Sequence, residues 1–90
     1  MTDIVHHESQ GRFACRVDGH DCELDYHLAD GRMVITHTGV PPQVGGRGIA
    51  AELTRAALET ARARGWRVVP LCSYAAAYVR RHAEYADLVA

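Results

Sequence analysis

The chain has little of what marks several large functional classes. It has three cysteines in 90 residues, Cys15, Cys22 and Cys72, and no Cys-x-x-Cys pair. An odd count without paired spacing argues against a disulfide framework and gives no support to a zinc site, so no metal is expected. It lacks an excess of either charge: the formal net charge is -1 with histidine neutral. A general nucleic-acid binder would be clearly basic. It lacks a long apolar run, since none approaches the roughly 20 residues of a membrane span. The first ten residues, MTDIVHHESQ, lack the apolar stretch of a secretory signal. The expectation is a cytoplasmic protein with neither nucleic acid nor membrane as partner. Finally, it lacks length. Ninety residues make one domain. A chain of that size buries only about 60–65% of its unfolded surface, so its core is thin. Residues 1–10 are polar enough to fray, and His6-His7 reads better as part of that terminus than as a metal site.

What is present is punctuation. Asp18-Gly19 and Asp30-Gly31 separate alternating runs, the strongest short signal for a two-residue hairpin. With both pairs as turns, Arg16 meets Asp21, Cys15 meets Cys22, Phe13 meets Leu24 and Arg12 meets Asp25. In the second hairpin Leu28 meets Met33, Tyr26 meets Ile35, Leu24 meets His37 and Cys22 meets Gly39. One face then carries Phe13, Cys15, Cys22, Leu24, Tyr26, Leu28, Met33, Ile35 and His37. The other carries Arg12, Arg16, Asp21, Glu23, Asp25 and His27, with opposite charges facing each other. Residues 11–40 thus read as a three-stranded antiparallel meander with one wet face. Cys15 and Cys22 read as core.

From Arg47 to Arg64 the period changes to 3.6. Glu52, Arg55, Glu59 and Arg62 form a narrow charged stripe spaced for i, i+3 pairing. Gly65 supplies the stop. WRVVPL reads as a buried strand. SYAAAYVRRH reads as a second helix with Ser73 as N-cap. The order is β-β-β-α-β-α, an α+β fold in which a meander is followed by a βαβ unit with parallel strands and a right-handed crossover.

Between the meander and the long helix lies VPPQVGGRGIAA, residues 40–51. Pro41 and Pro42 cannot donate to a ladder, so the sheet should open just beyond Val40. A strand entering a helix through glycines makes an anion cradle, because the first helical turn bares its N–H groups and the dipole favours negative charge there. Gly-Lys-Ser/Thr is absent, so the loop is not a Walker A motif. Glycines at 39, 45, 46 and 48 do not form Gly-x-Gly-x-x-Gly either.

What does fit is Gln43-x-x-Gly46-x-Gly48. This resembles the acetyl-CoA pyrophosphate loop, Q/R-x-x-G-x-G/A, of the GCN5-related N-acetyltransferase superfamily. THTGVPPQVGGRGIAAEL, VVPLCSYAAAYVRRH and the closing EY are together similar to the minimal single-domain members of about 90–100 residues, over residues 12–88. The resemblance implies a trimmed acetyltransferase core and acetyl-CoA or CoA as co-substrate. It implies that the backbone at Thr38–Val40 runs beside pantetheine, and that the N–H groups of Val44, Gly45, Gly46, Arg47, Gly48 and Ile49 hold the pyrophosphate. Gln43, Ser73 and Tyr78 complete the implied contacts. Tyr78 stands one residue from the usual place of the tyrosine acid in larger relatives. The resemblance also points to Cys72, in Pro-x-Cys-Ser, as acyl acceptor, the alternative being a small packing residue beside the ligand. A thiol near a helix N-terminus has its thiolate favoured by the dipole. His37 is the candidate base, for an amine or for Cys72, with a hydrogen-bonded core histidine as the other reading. One departure is Ala83, where the family usually has proline. The expected activity is acetyl transfer to an unidentified amine or protein acceptor, with a CoA-binding module lacking turnover as the alternative. The expected state is a monomer or weak homodimer, and a dimer could complete an acceptor site.

Overall fold

The computed structural model describes residues 3–90. A five-stranded sheet, ordered β1-β2-β3-β4-β5, carries two helices on one face. Its strands are β1 (Val5–His7), β2 (Arg12–Val17), β3 (His20–Ala29), β4 (Arg32–Gly39) and β5 (Arg67–Pro70). The long helix α1 (Ile49–Arg64) crosses from β4 to β5, and α2 (Ser73–Arg81) follows. The mixed α+β order expected from the sequence is present, with one strand more.

Both Asp-Gly turns form as anticipated, because positive φ is required at each central position. Asp18 and Gly19 have φ of 49° and 78°, and Asp30 and Gly31 have 53° and 75°. The first hairpin has the expected register, from Arg12↔Asp25 to Arg16↔Asp21, with Cys15 opposite Cys22. Its wet face is paired as expected: Arg12 Nε lies 2.7 Å from Asp25 Oδ1.

The second hairpin departs from its expected register halfway along. Leu28↔Met33 and Tyr26↔Ile35 hold, but then Asp25 faces His37, Leu24 faces Thr38 and Glu23 faces Gly39. Thr36 is the extra residue of a β-bulge, and its Oγ1 donates to Asp25 O at 3.4 Å. A bulge of one residue flips every later side chain to the other face. His37 therefore stands on the outer face rather than the apolar one, and Thr38 takes the inward position.

The terminus is the second departure. Residues 5–7, expected to fray, pair with β2 as Val5↔Ala14, His6↔Phe13 and His7↔Arg12. The His6 ring stacks on Phe13 at 4.0 Å, and its Nε2 lies 2.5 Å from Tyr26 Oη. A histidine here packs as an aromatic ring, so hydropathy alternation could not reveal the strand. Residues 1 and 2 of the expected frayed segment lie outside the described residues.

The core joins Phe13, Leu24, Tyr26, Met33 and Ile35 of the sheet to Leu53, Ala57, Leu58 and Ala61 of α1. Leu28, expected on this face, is exposed. Small alanines let α1 lie close on the strands. Glu59 and Arg62 do not support the helix alone. Tyr85 Oη donates to Glu59 at 2.6 Å, and Arg62 binds Asp87 at 3.1 Å, so the stripe holds the C-terminal segment down. Ala90 N–H then donates to Val68 O on the free edge of β5.

Candidate active site

The sheet opens where its two parallel strands part. β4 and β5 pair only from Arg32↔Arg67 to Ile35↔Pro70. Pro70 has no N–H, and the N–H groups of Leu71 and Cys72 both donate to Ile35 O at 3.0 Å. Beyond that point β4 continues to Gly39 while the other strand turns away into α2. The opening thus begins near Ile35 and Pro70, not beyond Val40 as Pro41 and Pro42 suggested. Those two prolines instead lead into a 3₁₀ turn, Pro42–Val44.

That turn changes which backbone groups are free. Val44 N–H donates to Pro41 O and Gly45 N–H to Pro42 O, at 3.0 and 3.1 Å. Neither is available to an anion, against the expectation for Val44 and Gly45. The Val44 side chain is buried and anchors the turn to the core. The first donor inside α1 with a helical acceptor is Glu52, whose N–H reaches Gly48 O at 3.1 Å. Helix geometry leaves the N–H groups of Gly48, Ile49, Ala50 and Ala51 without intrahelical partners. Gly46 and Gly48 have φ of 78° and 79°, and a Cβ on either would meet nothing within 4 Å. These glycines are required for the turn and leave open space above it. A cleft of about 270 Å³ lies there, lined by Val40, Gly45, Gly46, Gly48, Ile49, Ala50, Ala51 and Tyr74. An open concavity faced by free N–H groups fits a phosphate.

Arg47 is not aimed into this cleft. Its Nη1 lies 2.6 Å from Asp18 Oδ2, in the turn between β2 and β3. Gln43 is exposed on the 3₁₀ turn, with no hydrogen-bond partner among the described residues.

Cys72 sits at the gap's inner wall, half-buried, as the N-cap of α2. The expected cap, Ser73, is instead the first helical residue and is exposed. Thr38 Oγ1 lies 3.5 Å from Cys72 Sγ. Burial pushes the thiol up, the largest single influence. The Thr38 hydroxyl, then the backbone N–H groups of Ala75, Tyr74 and Thr38, outweigh it and hold the thiol below its ordinary value. Cys15 shows the contrast. Burial, then its neighbour Cys22, pushes that thiol up to about 11. Cys15 and Cys72 are thus shifted in opposite directions.

The remaining candidates divide. His37, now on the outer face, has its Nε2 3.1 Å from Glu23 Oε2, across the sheet from Cys72. It is not placed to take a proton from the thiol. A Cβ at Gly39 would meet the Glu23 carboxylate and the His37 ring, whose side chains would have to swing aside. Tyr78 is buried and stacks on His82 at 3.9 Å. Burial raises its phenol above the ordinary value, with a smaller opposing influence from Arg55. Tyr74, one turn earlier, is the tyrosine that lines the cleft, together with Ala50 and Ala51. The shared face of Tyr74 and Tyr78 at i, i+4 was the available signal for it. Arg80 is exposed and lies outside the cleft lining. A second concavity of about 460 Å³ lies on the outer side of the first strands, lined by Arg12, Arg16, Asp21 and Glu23 among others. Its arginines already face Asp25 and Asp21. Among the described residues no group of three His, Cys, Asp or Glu side chains gathers to hold a metal, and no helix is long and apolar enough to cross a membrane.

The chain is similar to known proteins in sequence and in fold. The sequence model of the GCN5-related N-acetyl-transferase family matches residues 12–88. The solution structure of a GCN5-like protein from Staphylococcus aureus superposes with a TM-score of 0.77 at 27% identity, over 98% of this chain and 87% of that one. No curated protein gives a significant match.

Proposed function

The chain belongs to the GCN5-related N-acetyltransferase family, and from that premise we propose that it binds acetyl-CoA and transfers the acetyl group to an amine, by way of Cys72. The observation that carries this reading is the junction of three features. The parallel strands part at Ile35 and Pro70, the N–H groups of Gly48 to Ala51 stand free on one side, and a thiol with a lowered pKa stands on the other.

The pyrophosphate of the co-substrate would lie against Gly46, Gly48 and the N–H groups of Ile49, Ala50 and Ala51. Pantetheine would run along Thr38–Val40, where β4 has no partner on its β5 side. That path brings a thioester toward Cys72. The thiolate attacks the carbonyl carbon, a new C–S bond forms, and the bond to the CoA sulfur breaks. The CoA thiolate leaves and takes a proton from solvent. An amine then attacks the acetyl-cysteine, loses its proton, and returns Cys72 as the thiolate. Thr38 Oγ1 donates to the thiolate form and positions it in the gap. The acceptor is an amine on a small molecule or a protein. It reaches the gap from the outer sheet face, where the Glu23–His37 pair can take the proton that the amine sheds.

The test is intact mass after incubation with acetyl-CoA. The chain contains no lysine, so spontaneous lysine acetylation cannot mimic the product. Cys15 and Cys22 are buried. A single acetyl adduct that is absent in Cys72→Ser is the expected result. No adduct despite measurable CoA affinity would leave direct transfer to the amine or a binding module without turnover, and would remove Cys72 from the mechanism.

A further inference from the structure

Arg47, the cation carried by the glycine loop, is held by a carboxylate from another part of the chain. We propose that Asp18 is an internal competitor for Arg47, occupying its guanidinium until a phosphate takes it, and so sets the affinity of the cradle. The inference rests on the phosphate reading given above.

The topology brings the two together. β3 runs antiparallel to β4, with Glu23 opposite Gly39. Going on from Gly39 into the glycine loop therefore moves toward the start of β3, where the Asp18-Gly19 turn stands. The turn and the loop share one end of the sheet. Their charges meet at 2.6 Å between Arg47 Nη1 and Asp18 Oδ2. The side chains are about half and two-thirds exposed, at 49% and 65%. An exposed pair of this kind is weak enough for a multiply charged ligand to break. Arg47 is followed directly by Gly48, whose φ of 79° ends the loop. The guanidinium is half exposed, so side-chain rotation can carry it from Asp18 to a phosphate without moving the core.

Two consequences follow. Before binding, Asp18 cancels the charge that would draw an anion in. After binding, its carboxylate stays beside the phosphates and repels them. Both lower affinity. Removing the charge at position 18 should therefore tighten binding, while a residue that merely supported the site would loosen it.

Asp18→Asn is a clean probe, because asparagine tolerates the positive φ of 49° that this turn demands. Calorimetric titration with CoA at low salt compares wild type, Asp18→Asn, Arg47→Gln and the double variant. The expected result is binding tightened about two- to fivefold by Asp18→Asn, the range an exposed ion pair supports. Arg47→Gln should weaken binding, and adding Asp18→Asn to it should recover only the smaller, through-space part. Unchanged or weaker binding in Asp18→Asn overturns the competitor role while leaving the cradle intact. Absence of CoA binding in all four proteins overturns the phosphate reading, and the inference with it. Unfolding midpoints measured alongside separate a folding defect from a binding effect.

Discussion

The two ends of the sheet are built to opposite rules. At the β1–β3 end every strand is paired, and His6, Phe13, Tyr26 and Trp66 pack ring against ring beneath it. At the β4–β5 end the strands pair over four residues and then separate, and the adjoining loop offers glycines instead of side chains. In the first arrangement β2 is paired on both sides, with β1 and with β3. The second leaves N–H groups without helical partners and a half-buried thiol beside them, which is what a ligand needs. A small domain can carry such an open end because the closed end and the α1 face hold most of its buried surface.

Substitutions should separate the two ends. In the core, Leu53→Ala empties a fully buried position and should cost about 2–5 kcal/mol in urea unfolding. In the loop, Gly46→Val should remove CoA binding at millimolar ligand. The positive φ there costs a side chain only about 1–2 kcal/mol, so the fold should survive. Loss of fold in the second variant, or retained binding, would erase the contrast.

A smaller effect concerns Thr38→Val. Without the hydroxyl the Cys72 thiol should titrate higher, and its alkylation by iodoacetamide at pH 7 should slow several-fold. The pH midpoint of that reaction should rise, a shift that a merely structural threonine would not produce. Tyr85→Phe removes the 2.6 Å bond to Glu59 and should cost about 1 kcal/mol. Burial, then the Glu59 hydrogen bond, pushes the Tyr85 phenol up to about 12. Its folded value exceeds the unfolded one, near 10. Stability from this group is therefore present at neutral pH and is lost as pH rises between those values. Tyr85→Phe should flatten that alkaline limb.

The smallest effect belongs to His6. Burial lowers its pKa, with Glu8 opposing. The fold favours the neutral ring, so stability should decline as pH falls below about 6.5, where the unfolded chain takes up the proton. In His6→Phe that part of the acid slope should vanish.

Much of this was legible in the sequence, for physical reasons. Two Asp-Gly pairs set two turns, and alternation set the inward faces of β2 and β3. The change of period from 2 to 3.6 marked α1, and Gly65 ended it. The strand–glycine–helix order located the loop that leaves N–H groups free at the start of α1. What stayed hidden depended on single residues acting out of type. Thr36 bulges without glycine or proline to announce it, and the flip it causes exchanges His37 for Thr38 beside Cys72. His6 packs as an aromatic ring, which conceals β1. Pro70, read as part of a strand, is where the sheet parts. The Arg47–Asp18 pair joins residues 29 apart, a distance that no local pattern spans.

The most direct test of the central claim is a CoA titration followed by backbone amide shifts. The account predicts saturable binding, with the largest shifts at Gly46, Gly48, Ile49, Ala50 and Ala51, a second set at Thr38, Gly39 and Val40, and little change at Val44 and Gly45. Saturable shifts centred instead on the outer groove of Arg12, Arg16 and Asp21, or no shifts at millimolar CoA, would contradict it.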